Sequence, residues 1–150
     1  MTRKFLSFFA GLSITAGSLA GAGNLLYNGS FEITSGTTAP GWFGGYTIDA
    51  KGGVNGSKAA RVLRTDSCYN EASSRYIPVT PGAKFKLTGK YKGAAGYIYI
   101  LFTLPKKKSK LVQLTPKAAN VWTDFVLEGT VPEKAIRAVV MLRTWNKSQP

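Results

Sequence analysis

The sequence contains no histidine and a single cysteine, Cys68. The missing imidazole removes the commonest general base and the commonest nitrogen ligand of a metal ion. One cysteine cannot close an internal disulfide, and it cannot build a multi-cysteine zinc or iron–sulfur site. Acids are scarce too: seven against 20 lysines and arginines, a formal charge of +13. There is no internal repeat, no heptad and no long linker. The longest apolar stretch, near the N-terminus, is short for a bilayer span.

These absences exclude several function classes. A serine or cysteine nucleophile lacks its usual base. Glycoside hydrolysis needs two carboxylates that face each other. The seven acids are Glu32, Asp49, Asp66, Glu71, Asp124, Glu128 and Glu133, and nothing in their spacing demands such a pair. No Gly-rich turn leads into the Lys-Ser/Thr order of a phosphate-binding loop. The basic charge comes without a nucleic-acid motif. The expectation is a protein that is not an enzyme and has no nucleic-acid partner.

What the chain does have is alternation broken by turn residues. Residues 76–104 organise it. Pro78, Pro81 and Gly82 punctuate the start. Phe85, Leu87 and Tyr91 then alternate with Lys84, Lys86, Lys90 and Lys92, the pattern of a strand with one buried and one wet face. Tyr97 to Leu104 is apolar or aromatic at both parities and reads as a central strand covered on two sides. Shorter strands are read at Ala59–Leu63, Ser73–Val79, Leu111–Leu114, Val121–Glu128 and Ile136–Leu142. About eight short strands joined by Gly/Pro turns predict an all-β, antiparallel β-sandwich or barrel. Phe31, Val62, Phe85, Leu87, Ile98, Ile100, Phe102, Phe125, Val140 and Leu142 are the expected core.

The first 22 residues read as a secretory signal peptide. Arg3 and Lys4 precede the apolar Phe5–Ile14, and small residues follow, with cleavage after Ala20 or Ala22. The domain then covers residues 23–150, and losing Arg3 and Lys4 lowers the charge from +13 to +11. The implied location is secreted or cell envelope, with no stable membrane insertion after cleavage. Cys68 would then be buried or paired with another molecule. The oligomeric state is not read from the sequence.

The residues left over suit sugars. Apolar pyranose faces stack on flat aromatic rings, and hydroxyls take polar partners. Tyr97 and Tyr99 share a face, being two apart in a strand, and form one candidate platform. Trp42 and Tyr69 form a loop alternative, with Arg64, Asn70 and Gln113 as hydroxyl partners. Trp42 also suits a core position, as a lid over the sheet. Four lysines at 106, 107, 108 and 110 form a solvated tip or a patch for an acidic polymer.

Several segments together resemble secreted carbohydrate-binding modules of the galactose-binding-like, jelly-roll type that bind glucans or xylans. Asn24-Leu25-Leu26 with Asn28-Gly29-Ser30-Phe31-Glu32 resembles the family's opening strand, and Pro40-Gly41-Trp42 the start of the next. Val79-Thr80-Pro81-Gly82 with Phe85 to Tyr91 resembles its central hairpin segment. Trp122-Thr123-Asp124-Phe125 and Ala138 to Leu142 resemble two later strands. The resemblance implies noncatalytic polysaccharide binding, with a structural or adhesive envelope role as the alternative. It also implies a structural calcium ion with Glu32 as an acidic ligand. The family's last strand carries an aromatic-Asp-Asp-Val pattern that these 150 residues lack.

Overall fold

A computed structural model describes residues 5–15, 24–63 and 69–145. Cys68 and Arg64, the latter an expected ligand residue, lie outside the described residues. The strands are β1 (Phe5–Thr15), β2 (Trp42–Gly44), β3 (Tyr46–Asp49), β4 (Ala59–Leu63), β5 (Tyr69–Ser74) and β6 (Ile77–Pro78). They continue with β7 (Lys84–Gly93), β8 (Gly96–Thr103), β9 (Ser109–Leu114), β10 (Ala119–Thr130) and β11 (Arg137–Trp145). One sheet has the order β10-β7-β1-β4-β3. The other runs β2-β5-β11-β8-β9, with β6 also paired to β11. Every strand pairing is antiparallel, so the all-β antiparallel sandwich expected from the alternation is the observed class.

Alternation decides which side of each strand is dry. On β7, Phe85, Leu87 and Tyr91 are buried while Lys84 and Lys86 are exposed. On β8, Ile98, Ile100 and Phe102 face the same core, as do Val140 and Leu142 of β11. All ten expected core residues are buried. Each such side chain removed from water contributes roughly 1.5–3 kcal/mol. Phe85 and Phe102 meet across the two sheets with ring centroids 5.6 Å apart.

β7 and β8 lie in different sheets, and residues 94–95 connect them. Three local expectations change. Residues 25–32, within the segment that resembles an opening strand, form turns and irregular backbone instead. Asn28 fixes this loop. Its side-chain amide donates to the Ile33 carbonyl at 2.8 Å and accepts from the Ile33 N–H at 3.1 Å. The polar run at Asn70 and Glu71, read as a loop, is strand β5, held between β2 and β11. Val121 shares the parity of Phe125 and Leu127 in the strand read at Val121–Glu128, but it is 70% exposed, because the β10–β7 register slips between Ala119 and Thr123.

The N-terminal segment read as a leader is here a strand. β1 pairs with β7 from Leu6 to Thr15 and with β4 from Phe5 to Phe8. Among the described residues no helix is long and apolar enough to cross a membrane.

Candidate ligand groove

The outer side of the second sheet carries a groove of about 580 Å³. Tyr97, Tyr99 and Leu101 of β8 line it, with Ser109, Leu111 and Gln113 of β9 and Met141 and Arg143 of β11. The spacing of these residues follows from the pleat. They share one parity on each strand, opposite to Ile98, Ile100 and Phe102. The ladder then sets them in rows across the sheet. Tyr97 is level with Arg143, which is level with Glu71 of β5. Tyr99 lies between Met141 and Gln113, and Leu101 is level with Leu111. Tyr97 to Leu104 was expected to be covered on two sides. One side is core, and the other is this groove.

An ion pair borders one end. Arg143 donates from Nη2 and Nε to Glu71 Oε2 at 2.6 and 2.9 Å. Both side chains are about one-quarter exposed. The Tyr99 hydroxyl donates to the same Oε2 at 3.4 Å, and the Arg143 guanidinium lies 5.2 Å from the Tyr99 ring centroid. Tyr99 is therefore a buried floor, 6% exposed, and Tyr97 is a half-buried wall. A charged pair fixed beside two aromatic rings gives hydrogen-bonding groups a defined direction next to the flat, half-buried face of Tyr97.

Of the expected ligand residues, Tyr97, Tyr99 and Gln113 come together here. Trp42 does not join them, and its assignment as a ligand residue is corrected. It is 4% exposed, its ring lies 4.7 Å from that of Phe31, and its indole N–H donates to the Asn28 carbonyl at 3.1 Å. Its one polar atom is satisfied internally, which is the arrangement of a core tryptophan. Asn70 is likewise turned to structural use. Its side-chain oxygen accepts from the Glu71 N–H at 3.1 Å, and its amide packs so closely on Gly45 that a Cβ there would collide. The backbone of Tyr69 pairs with Trp145 at the start of β5. Leu101, Leu111 and Met141 escaped the sequence reading, since apolar residues on strands look alike whichever side they take. Glu71 and Arg143 were recognisable only as polar residues of suitable chemistry.

Glu32, the implied metal ligand, is on the far loop. Its Oε1 accepts from the Lys58 N–H at 2.9 Å. The Lys58 ammonium donates to the Glu32 carbonyl at 2.8 Å and to Thr34 Oγ1 at 3.0 Å. Calcium takes six to eight oxygen ligands. One carboxylate, one carbonyl and one hydroxyl around a lysine ammonium do not fit it. Among the described residues no three metal-binding side chains cluster.

No family model and no curated protein matches the chain. A solved structure does: the enzymatically active domain of tailspike protein 4 from bacteriophage CBA120, with a TM-score of 0.58 and 16% identity. The match covers 75% of this chain and 19% of that one, so the chain spans about a fifth of that domain's length. This likeness is one of fold. It corrects the expectation that the chain is not an enzyme: a similar fold occurs within an enzymatically active domain, so the fold does not mark a noncatalytic protein.

Proposed function

We propose that the chain associates with an extracellular or cell-surface polysaccharide through the groove on β8, β9 and β11. One observation carries the reading: Tyr97, Tyr99 and Gln113, set in one groove beside the Arg143–Glu71 pair. Flat rings, a primary amide and an oriented ion pair are what a pyranose needs on its apolar face and around its hydroxyls. The resemblance to glucan- and xylan-binding modules supports it. The fold likeness to part of a phage tailspike domain supports a surface setting. The basic, apolar, small-residue order of residues 1–22 supports export, whether or not that segment is later removed.

Stacking and hydrogen bonding exchange for contacts already made to water, so each ring contributes little. Micromolar binding requires roughly 8 kcal/mol, which favours a polymer over a monosaccharide. Retardation in native gels containing β-glucan, xylan, mannan or an acidic polysaccharide is the test. A Tyr97→Ala, Gln113→Ala variant alters residues outside the core, and we expect it to lose retardation at an unchanged melting midpoint. Unchanged retardation, or none for the parent in any gel, overturns the reading.

The acidic polymer is favoured by a second observation. Lys106, Lys107 and Lys108 are exposed in the turn that joins β8 to Ser109, at the other end of the groove. Several lysine–anion contacts release counterions and make binding fall with salt, a relation borrowed from nucleic acids. Changing Lys106, Lys107, Lys108 and Lys110 to Gln should abolish retardation by the acidic polysaccharide and flatten its salt dependence. Equal retardation of parent and variant in that gel removes the tip from the site.

A further inference from the structure

The position between β4 and β7, on the sheet opposite the groove, is held by the segment that the sequence marks as a leader. β1 is hydrogen-bonded there on both edges: ten consecutive residues register with β7 and four with β4. The match extends to composition. The even-numbered residues Leu6, Phe8, Ala10, Leu12 and Ile14 are all apolar. Leu6 and Phe8 register with Val62 and Ala60, while Phe8, Leu12 and Ile14 register with Tyr91, Leu87 and Phe85. All five of those partners are buried. Of the odd-numbered residues, Ser7, Gly11, Ser13 and Thr15 are small or polar while Phe5 and Phe9 are aromatic. Ser7, Phe9, Gly11 and Ser13 register with Lys92, Lys90, Thr88 and Lys86, on the wet parity of β7. An apolar leader segment has no need of this period, whereas a strand filling a half-buried sheet does.

We propose that this position is a strand-acceptor site. Phe5–Thr15 fills it in the unprocessed chain, and once that segment is removed it takes an extended antiparallel strand from a second polypeptide. The acceptor chemistry defines the donor. About ten residues must be apolar at every second position, uncharged throughout, and mostly small or polar between, with an aromatic residue tolerated level with Lys90 as Phe9 is. An unfilled site would leave two facing rows of backbone N–H and C=O groups unpaired and the apolar side of β4 and β7 uncovered. Strand addition relieves both.

The test starts from the full chain. A site-specific protease sequence is placed within residues 16–22, the folded protein is cut, and the freed segment is removed by gel filtration in dilute denaturant. The probe is a fluorescent synthetic peptide of residues 5–15. We expect the stripped protein to bind it at least tenfold more than the uncut chain, whose site is filled. Amide protection at Ala60–Val62 and at Lys84–Gly93 should fall on stripping and return with the peptide. A peptide carrying Leu6→Ser, Phe8→Ser and Leu12→Ser should restore neither. A stripped protein that unfolds and refolds on adding the parent peptide supports the proposal equally. Stripped protein that keeps those amides protected, ignores the probe, or takes both peptides alike overturns it.

Discussion

Single side chains separate what alternation can reveal from what it cannot. Phe102 was legible as core because it lies two and four residues from Ile100 and Ile98 in a strand bounded by turns. It is fully buried against Phe85. Phe102→Ala should therefore lower unfolding stability by about 3–5 kcal/mol, the cost of an aromatic cavity that the sheets cannot close. Chemical denaturation monitored by circular dichroism reads this directly, and a midpoint near the parent's would mean the residue is not packed between the sheets. Trp42 was ambiguous for a physical reason. A tryptophan following Pro-Gly can lie over a core or project as a platform, and its fate depends on whether its N–H finds an internal acceptor. The Asn28 carbonyl supplies one, from a loop whose shape no period-two pattern specifies. Lys106 and Lys107 both adopt positive φ, 58° and 59°. Turns of that kind favour asparagine and glycine, so the lysine run gave no local hint of so tight a reversal.

At the scale of elements, strands were easier to find than their partners. β7 could be delimited from alternation, because burying one face imposes the period directly, and β8 and β11 from short apolar runs bounded by turn residues. Pairing depends on residues far apart in the chain, and the sequence carries no comparable signal for it. That is why the placing of β7 and β8 in different sheets, consecutive in the chain but not paired, was not legible. The same limit hid the groove, whose rows form only when β11 lies between β5 and β8. The Arg143–Glu71 pair ties β5 to β11 and is partly sheltered, unlike the exposed Lys90–Asp124 and Lys86–Glu128 pairs on the other sheet. Exposed pairs contribute little, while removing one partner of a sheltered pair strands the other. Glu71→Gln should cost on the order of 1 kcal/mol and weaken glycan retardation, since Tyr99 and Arg143 both lose their charged partner. Retardation and melting midpoint both equal to the parent's would show that the pair orients nothing.

Across the whole molecule, the sandwich class was legible and the chain's route through it was not. The first 22 residues satisfy two descriptions at once. The positive, apolar, small-residue order suits export, and the hidden period of two suits a sheet. Composition shows the first at a glance, and the second emerges only when the partners' registers are known. The strand orders have one more consequence, for the speed of folding. Among the described strands, only β3–β4 and β8–β9 pair with their immediate successors. β7 must find β10 beyond the whole of β8 and β9, and β5 must wait for β11. Chain closure over such separations is slow before any contact rewards it, so refolding should take roughly milliseconds to seconds. Stopped-flow tryptophan fluorescence would record it, and a microsecond phase carrying the full amplitude would contradict this topology. During that interval the edges of β5 and β7 stand open, and crowded refolding would be the moment at which this protein is most prone to aggregate.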